Sequence, residues 1–160
     1  MSDQPEYNKV RTSALGAELH EDEAKVLAET MGVRHLRDGE LLTAEGGAAQ
    51  TLFVLAEGKL SVLSNIDGVD QPVYTMTEGE CAGTRAFVDR APRKATLRAL
   101  GPATVFTLEP DAFESLLEKH PRIVYKVMRA LFRITHSNLM RMNQETQQLS
   151  NYINKTHGRY

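Results

Sequence analysis

The 160-residue chain is predicted to be mainly β with flanking helices, a jelly-roll β-barrel followed by a long C-terminal helix. Three observations predict this. Between Val33 and Glu109 short β-type runs alternate with Gly-containing turns at 8–12-residue intervals, the texture of a sandwich or barrel. Before that stretch, apolar residues recur at helical spacing. After it, helical spacing returns behind two prolines and persists to the C-terminal region.

Taken in order, residues 1–12 are polar and aperiodic and read as a flexible N-terminal arm. Leu15 through Met31 carries Leu19, Ala24, Leu27 and Met31 at helical spacing, with Glu21, Asp22 and Glu23 near its start, where acidic groups favour the helix dipole. Gly32 fits the left-handed residue that closes a helix. The strand candidates are Val33–Leu36, Leu41–Ala44, Leu52–Ala56, Lys59–Leu63, Pro72–Met76, Ala95–Leu100 and Thr104–Leu108, with Asn65-Ile66-Asp67-Gly68 as a hairpin turn. Pro110 suits a first helical position.

Pro121 starts a second, longer helix. Its stripe of Val124, Val127, Met128, Leu131 and Ile134, continuing through Asn138 and Met142, approaches a heptad seam. A domain this small cannot cover such a helix along its whole length, so a homodimer through it is expected, with Asn138 setting register. Beyond Asn143 the Gln/Asn-rich sequence points to fraying. The organisation is thus an arm (1–12), a roll with its N-terminal helix (13–120) and a long helix (121–160).

Apolar residues make up 41% and charged residues 25%, values of an ordinary globular protein. The single cysteine, Cys81, excludes an internal disulfide, and no apolar run approaches the length of a membrane span. With no signal peptide in the sequence, a cytoplasmic location is expected. The net charge of −2 conceals a −8 balance over residues 1–119 and a +6 balance over 120–160. The basic helix either complements an acidic body or faces an anionic ligand or partner. No helix-turn-helix pattern follows it, so no DNA-binding element is expected. No metal-ligand spacing, Walker loop or nucleophile elbow is present, and no enzyme activity, metal or cofactor is expected.

Chemistry concentrates in residues 79–99. A Gly-punctuated turn leads into one turn of helix, and Pro92-Arg93-Lys94-Ala95-Thr96 then leads into a strand. A helix start presents unpaired N–H groups and partial positive charge, which suit phosphate. Arg93 can add a bidentate cationic clamp on the same anion.

This stretch, together with Asp38-Gly39-Glu40-Leu41-Leu42-Thr43-Ala44-Glu45-Gly46 and Leu52–Val62, resembles the cyclic-nucleotide-binding domain family. The family includes catabolite activator protein, kinase regulatory subunits and nucleotide-gated channels, and the resemblance covers roughly Leu15 to Met142. It implies a small cytoplasmic sensor that binds cAMP or cGMP as a regulatory ligand and signals through a dimer or a separate effector protein.

Anchoring the phosphate-binding cassette on Pro92-Arg93 places Gly83 on the family's glycine and Ala86 on its small residue. The resemblance then implies Arg93 as phosphate clamp, backbone N–H groups near Ala86, and Lys94 or Thr96 as secondary contacts. Arg85, usually apolar in the family, is either a second phosphate ligand or an exposed arginine. For the purine, counting along the long helix indicates Ser137 and Asn138, with Thr135 and His136 nearby.

Thr84 departs from the pattern, since the family places there a Glu that accepts from the ribose 2′-hydroxyl. In an alternative register Gly79-Glu80 supplies that pair. Two further readings stay open: a degenerate fold kept as a dimerisation or docking module, and a different anionic ligand favoured by Arg85 and Lys94.

Overall fold

The computed structural model describes residues 4–157. Its elements run α1 (Tyr7–Thr12), α2 (Glu21–Thr30), β1 (Gly32–Leu36), β2 (Leu41–Thr43), β3 (Leu52–Ile66), β4 (Val69–Met76), β5 (Cys81–Ala82), α3 (Thr84–Asp89), β6 (Thr96–Leu108), α4 (Pro110–Glu114) and α5 (Pro121–His157). All strand pairings are antiparallel, in the order β1-β6-β3-β4, with β2 on β6 and β5 on β3.

Leu52, Phe53, Val54 and Leu55 are all buried because both faces of β3 are covered. Successive side chains on a strand point to opposite faces. Leu52 and Val54 join Phe106 and Leu108 beneath the helices, whereas Phe53 and Leu55 join Leu60, Leu97, Ala99 and Val105 inside the roll. The helical cluster takes Leu27 from α2, Phe113 from α4 and Ile123, Val127 and Leu131 from α5.

The structure revises several sequence expectations. The two strand pairs predicted on either side of Gly58 and of Gly101 are single strands, β3 and β6. Each bends at a glycine with φ of +89° and +76° respectively, and the β3–β6 register shifts around Glu57. A bulge absorbs the extra residue without ending the ladder.

Tyr7–Thr12, expected as a flexible arm, is a short helix, because one apolar side chain, Val10, is fully buried in the core. Gly32 is not a left-handed helix terminator. It lies in β1, where a Cβ would come within 2.8 Å of Thr107 Oγ1, so close strand approach is what excludes a side chain.

The seam of α5 is also divided. Val127 (0% exposed) and Leu131 (2%) face the chain's own core, leaving them no part in a dimer. Met128 and Met142 of the expected stripe stay exposed, as do Tyr125, Phe132 and Leu139 beside it. The helix extends through His157, past the point at Asn143 where fraying was expected.

Opposite charges hold α5 to the N-terminal helices. Lys126 Nζ lies 2.6 Å from Glu23 Oε1, and Arg129 and Arg133 both reach Glu18 Oε2 at 3.1 Å. Glu23 Oε1 also accepts from the His20 backbone N–H at 2.9 Å, the carboxylate half of a capping box at the start of α2. Burial raises the Glu23 pKa, but the Lys126 and His20 donors outweigh it and hold the carboxyl below its usual value.

Two predictions follow from this framework. A carboxyl with a depressed folded-state pKa adds stability above its unfolded pKa of about 4.3, and that stability is lost as pH falls. Glu23→Gln therefore unfolds at lower denaturant than wild type at pH 7, and the two curves converge as the pH drops below about 4.

At Gly58 a Cβ would come within 2.4 Å of the Pro102 carbonyl oxygen, whereas at Gly39 it would meet open space. Both glycines have positive φ. Gly39→Ala is expected to cost about 1 kcal/mol of strain, and Gly58→Ala at least about 2 kcal/mol more because backbone must move. Urea denaturation midpoints of the two variants measure the difference.

Candidate functional site

The 79–99 segment folds over the end of the roll. Gly79 is left-handed, with φ +93°. Cys81 and Ala82 then pair with Val54 and Phe53 as β5. Gly83, φ +86°, precedes α3 at Thr84. Its hydrogen is obligatory for a second reason, because a Cβ would lie 2.4 Å from Arg93 Nη1 and 2.9 Å from the Thr51 carbonyl oxygen. The Gly83–Thr84 boundary is the helix start expected from anchoring on Pro92-Arg93. The ring of Phe87 sits 5.6 Å from that of Phe113, tying α3 to α4.

Arg93 is 5% exposed. Its backbone is gripped by the Gly46–Gly47 turn: Gly46 N–H donates to the Arg93 carbonyl at 2.8 Å, and Arg93 N–H donates to the Gly47 carbonyl at 2.9 Å. Its guanidinium lies 5.0 Å above the Phe53 ring and donates through Nη2 to the Thr51 carbonyl at 2.8 Å.

The remaining two nitrogens, Nε and Nη1, are buried with no hydrogen-bond partner among the described residues. Burial lowers the Arg93 pKa from its ordinary value, opposed by the negative charge of Glu109. An arginine stays charged even so, and leaving its donors unused costs roughly 1–3 kcal/mol each.

Arg93 lines a cavity of about 500 Å³. That lies within the roughly 300–1,000 Å³ range of small-molecule sites. Its walls include Val62, Val73, Met76 and Leu97 from the roll and Asn138, Arg141, Met142 and Glu145 from α5.

Gly83, Thr84, Arg85, Ala86 and Lys94 also border the cavity, so most residues indicated by the sequence converge there. Two do not. Thr96 is buried beneath, its hydroxyl accepting from the Glu45 N–H at 2.9 Å, and Ser137 is exposed on α5 away from the cavity wall. His136 is likewise outside it, stacked on Phe132 with ring centroids 6.1 Å apart.

Sequence reasoning missed Tyr74 and Arg141. The Arg141 guanidinium sits 4.3 Å from the Tyr74 ring centroid. The Tyr74 hydroxyl donates to Glu80, whose other carboxylate oxygen accepts from the Thr77 N–H at 2.6 Å and the Thr77 hydroxyl at 3.2 Å. Glu80, the residue of the alternative register, borders the cavity with its carboxylate already held by these donors. The hydrogen bond to Glu80 raises the Tyr74 pKa, with burial adding to the rise.

The Cys81 thiol, also in the wall, is pushed up to about 12 by burial and is therefore no nucleophile at neutral pH. Among the described residues no group of three His, Cys, Asp or Glu could hold a metal ion, and no helix is long and apolar enough to cross a membrane.

Glutaminase 2 of Bradyrhizobium diazoefficiens is 32% identical over 139 residues, covering 87% of this chain and 22% of that protein. Human cGMP-dependent protein kinase 2 is 30% identical over 99 residues, 61% of this chain and 13% of the kinase. The chain thus spans less than a quarter of the length of these relatives.

Among solved structures, a cyclic nucleotide-binding domain from Methylobacillus flagellatus KT superposes with a TM-score of 0.81 at 19% identity, covering 87% of this chain and 81% of that one. The regulatory domain of Toxoplasma gondii PKA, solved with cAMP, superposes with a TM-score of 0.62 at 25% identity, covering 68% and 42%. Residues 33–120 match the model of the cyclic nucleotide-binding domain, which includes β1 through α4 and the whole cassette. The chain belongs to the cyclic nucleotide-binding domain family.

Proposed function

We propose that this chain is a non-catalytic regulatory domain that binds cAMP or cGMP in the cavity between the roll and α5, with Arg93 clamping the cyclic phosphate. The observation that carries this reading is the buried Arg93 guanidinium with Nε and Nη1 unpartnered at a cavity of nucleotide-compatible size. A phosphodiester supplies acceptors and one negative charge, which satisfies both needs of that group. Backbone N–H groups at the start of α3 add donors on the same side. Asn138 presents paired donor and acceptor groups from α5 to the ligand's base.

Thr84 stands where the family's pattern has Glu, and a neutral hydroxyl is a weaker acceptor than a carboxylate for a sugar hydroxyl. The affinity is therefore set below what a carboxylate would give, by roughly one to two decades.

Occupancy is passed on through α5. The outward residues Tyr125, Met128, Phe132, Leu139 and Met142 fall at alternating three- and four-residue steps once the exposed Thr135 is included. That is the a/d spacing of a two-stranded coiled coil, and a second copy of this chain is the occupant it fits. A ligand that favours one position of α5 thereby biases the dimer.

Calorimetric titration of cAMP and cGMP tests the site. Wild type is expected to release or absorb heat with at least one of them, Arg93→Met to lose that heat, and Thr84→Glu to bind tenfold or more tightly. Because Arg93→Met removes two buried unsatisfied donors, its thermal melting point without ligand is expected at or above wild type. No heat with either nucleotide at millimolar concentration would leave a docking module as the better reading.

The dimer is checked by sedimentation velocity. Phe132→Glu is expected to convert a dimer to monomer, whereas Val69→Glu, on the roll and away from the cavity, leaves it dimeric.

A further inference from the structure

Past Leu131, α5 buries little. Thr135 through Met140 are all exposed, and Arg141 is the next partly buried residue. The distal helix meets the roll at the cavity wall, where Arg141 lies on the Tyr74 ring. That ring is held in place from below, because its hydroxyl donates to Glu80 and Glu80 is fixed in turn by the Thr77 N–H and hydroxyl.

Arg141 itself has no carboxylate within ion-pairing distance among the described residues, although Glu145 borders the same cavity. Its guanidinium is held by the half-buried Tyr74 ring and by a hydrogen bond to the Tyr74 hydroxyl. A cation held by a ring and a neutral hydroxyl is held more weakly than a guanidinium hydrogen-bonded to an anion.

We propose that Arg141 is the α5 group that engages the anionic part of the ligand, and that it does so by leaving Tyr74. This rests on the reading that Arg93 seats a cyclic phosphate in the same cavity. Arg93 and Arg141 then hold the ligand from opposite elements, one fixed in the roll and one on the helix. The ring contact and the ligand contact compete for a single guanidinium. Tyr74 is therefore a positioning residue that opposes binding, and the competition makes the seat of the distal helix depend on occupancy.

The two partners of this contact must consequently act in opposite directions, which a merely structural contact would not produce. With the full chain and cAMP or cGMP as probe, Arg141→Gln is expected to weaken binding about tenfold by removing a charge-assisted contact. Tyr74→Leu is expected to tighten it about two- to fivefold by removing the competing ring. Tyr74→Phe keeps the ring but loses the hydroxyl's bonds to Arg141 and Glu80, and is expected to bind between wild type and Tyr74→Leu.

Hydrogen exchange of amides 135–145 without ligand supplies a second readout, rising about fivefold in both Arg141→Gln and Tyr74→Leu. Weakening by both substitutions alike, or unchanged exchange in both, would overturn the proposal. Binding lost in Arg93→Met but kept in Arg141→Gln overturns it while leaving the phosphate site intact. No binding by wild type overturns the site and this inference together.

Discussion

A permanently charged side chain buried with two of its three nitrogens unused is the constraint around which this end of the molecule is built. Arg93 is not stabilised by an ion pair; a backbone carbonyl, an aromatic face and two glycine turns hold it. Each neighbour is chosen to leave room or to grip the main chain. Gly83 must lack a Cβ, Gly46 and Gly47 must close a tight turn on its peptide groups, and Thr51 must end the strand entry with its carbonyl turned inward. A buried cation offset only by the nearby charge of Glu109 is costly in a fold of ordinary stability. Such a cost is tolerated where strain serves a site.

The roll supplies the rigidity this arrangement needs. β3 and β6 run its full length as one ladder, so the floor beneath Arg93, at Phe53, is continuous with the core under the helices. By contrast, α5 is rigid only in its first half. Three basic side chains pair with Glu18 and Glu23 there, and the apolar stripe from Ile123 to Leu131 is sealed. Within one protomer the distal half meets the roll at the cavity wall, through Arg141 on Tyr74.

How far the sequence was legible depended on whether the deciding contact was local. The turn glycines, the helix start after Gly83 and the prominence of Arg93 behind Pro92 were readable because short-range chemistry defines them. The role of Gly46 was only half readable. Turn chemistry was evident, but not that the turn closes on a residue 47 positions away. The stripe expected along α5 turned out to be divided because the helix is apolar on two adjacent faces: Val124, Val127 and Leu131 run parallel to Tyr125, Met128 and Phe132. Both obey the same spacing, and only tertiary packing decides which one is sealed. Tyr74 and Arg141 carried no signal at all, since a tyrosine in a strand and an arginine in a polar helix are ordinary until the fold brings them together.

The outer strand, β4, has an implication for how copies of this protein meet. It pairs with β3 on one side, and its face carries exposed Val69 and Val73. An exposed sheet margin of this kind invites strand-to-strand aggregation. Pro72 withholds an amide hydrogen in the middle of β4, Asp70 adds charge, and the β3–β4 register slips between Val62 and Leu63. Together these spoil the margin as a template for open-ended strand-to-strand stacking, so a strand that lies at the sheet's edge does not recruit a second copy into a growing fibre.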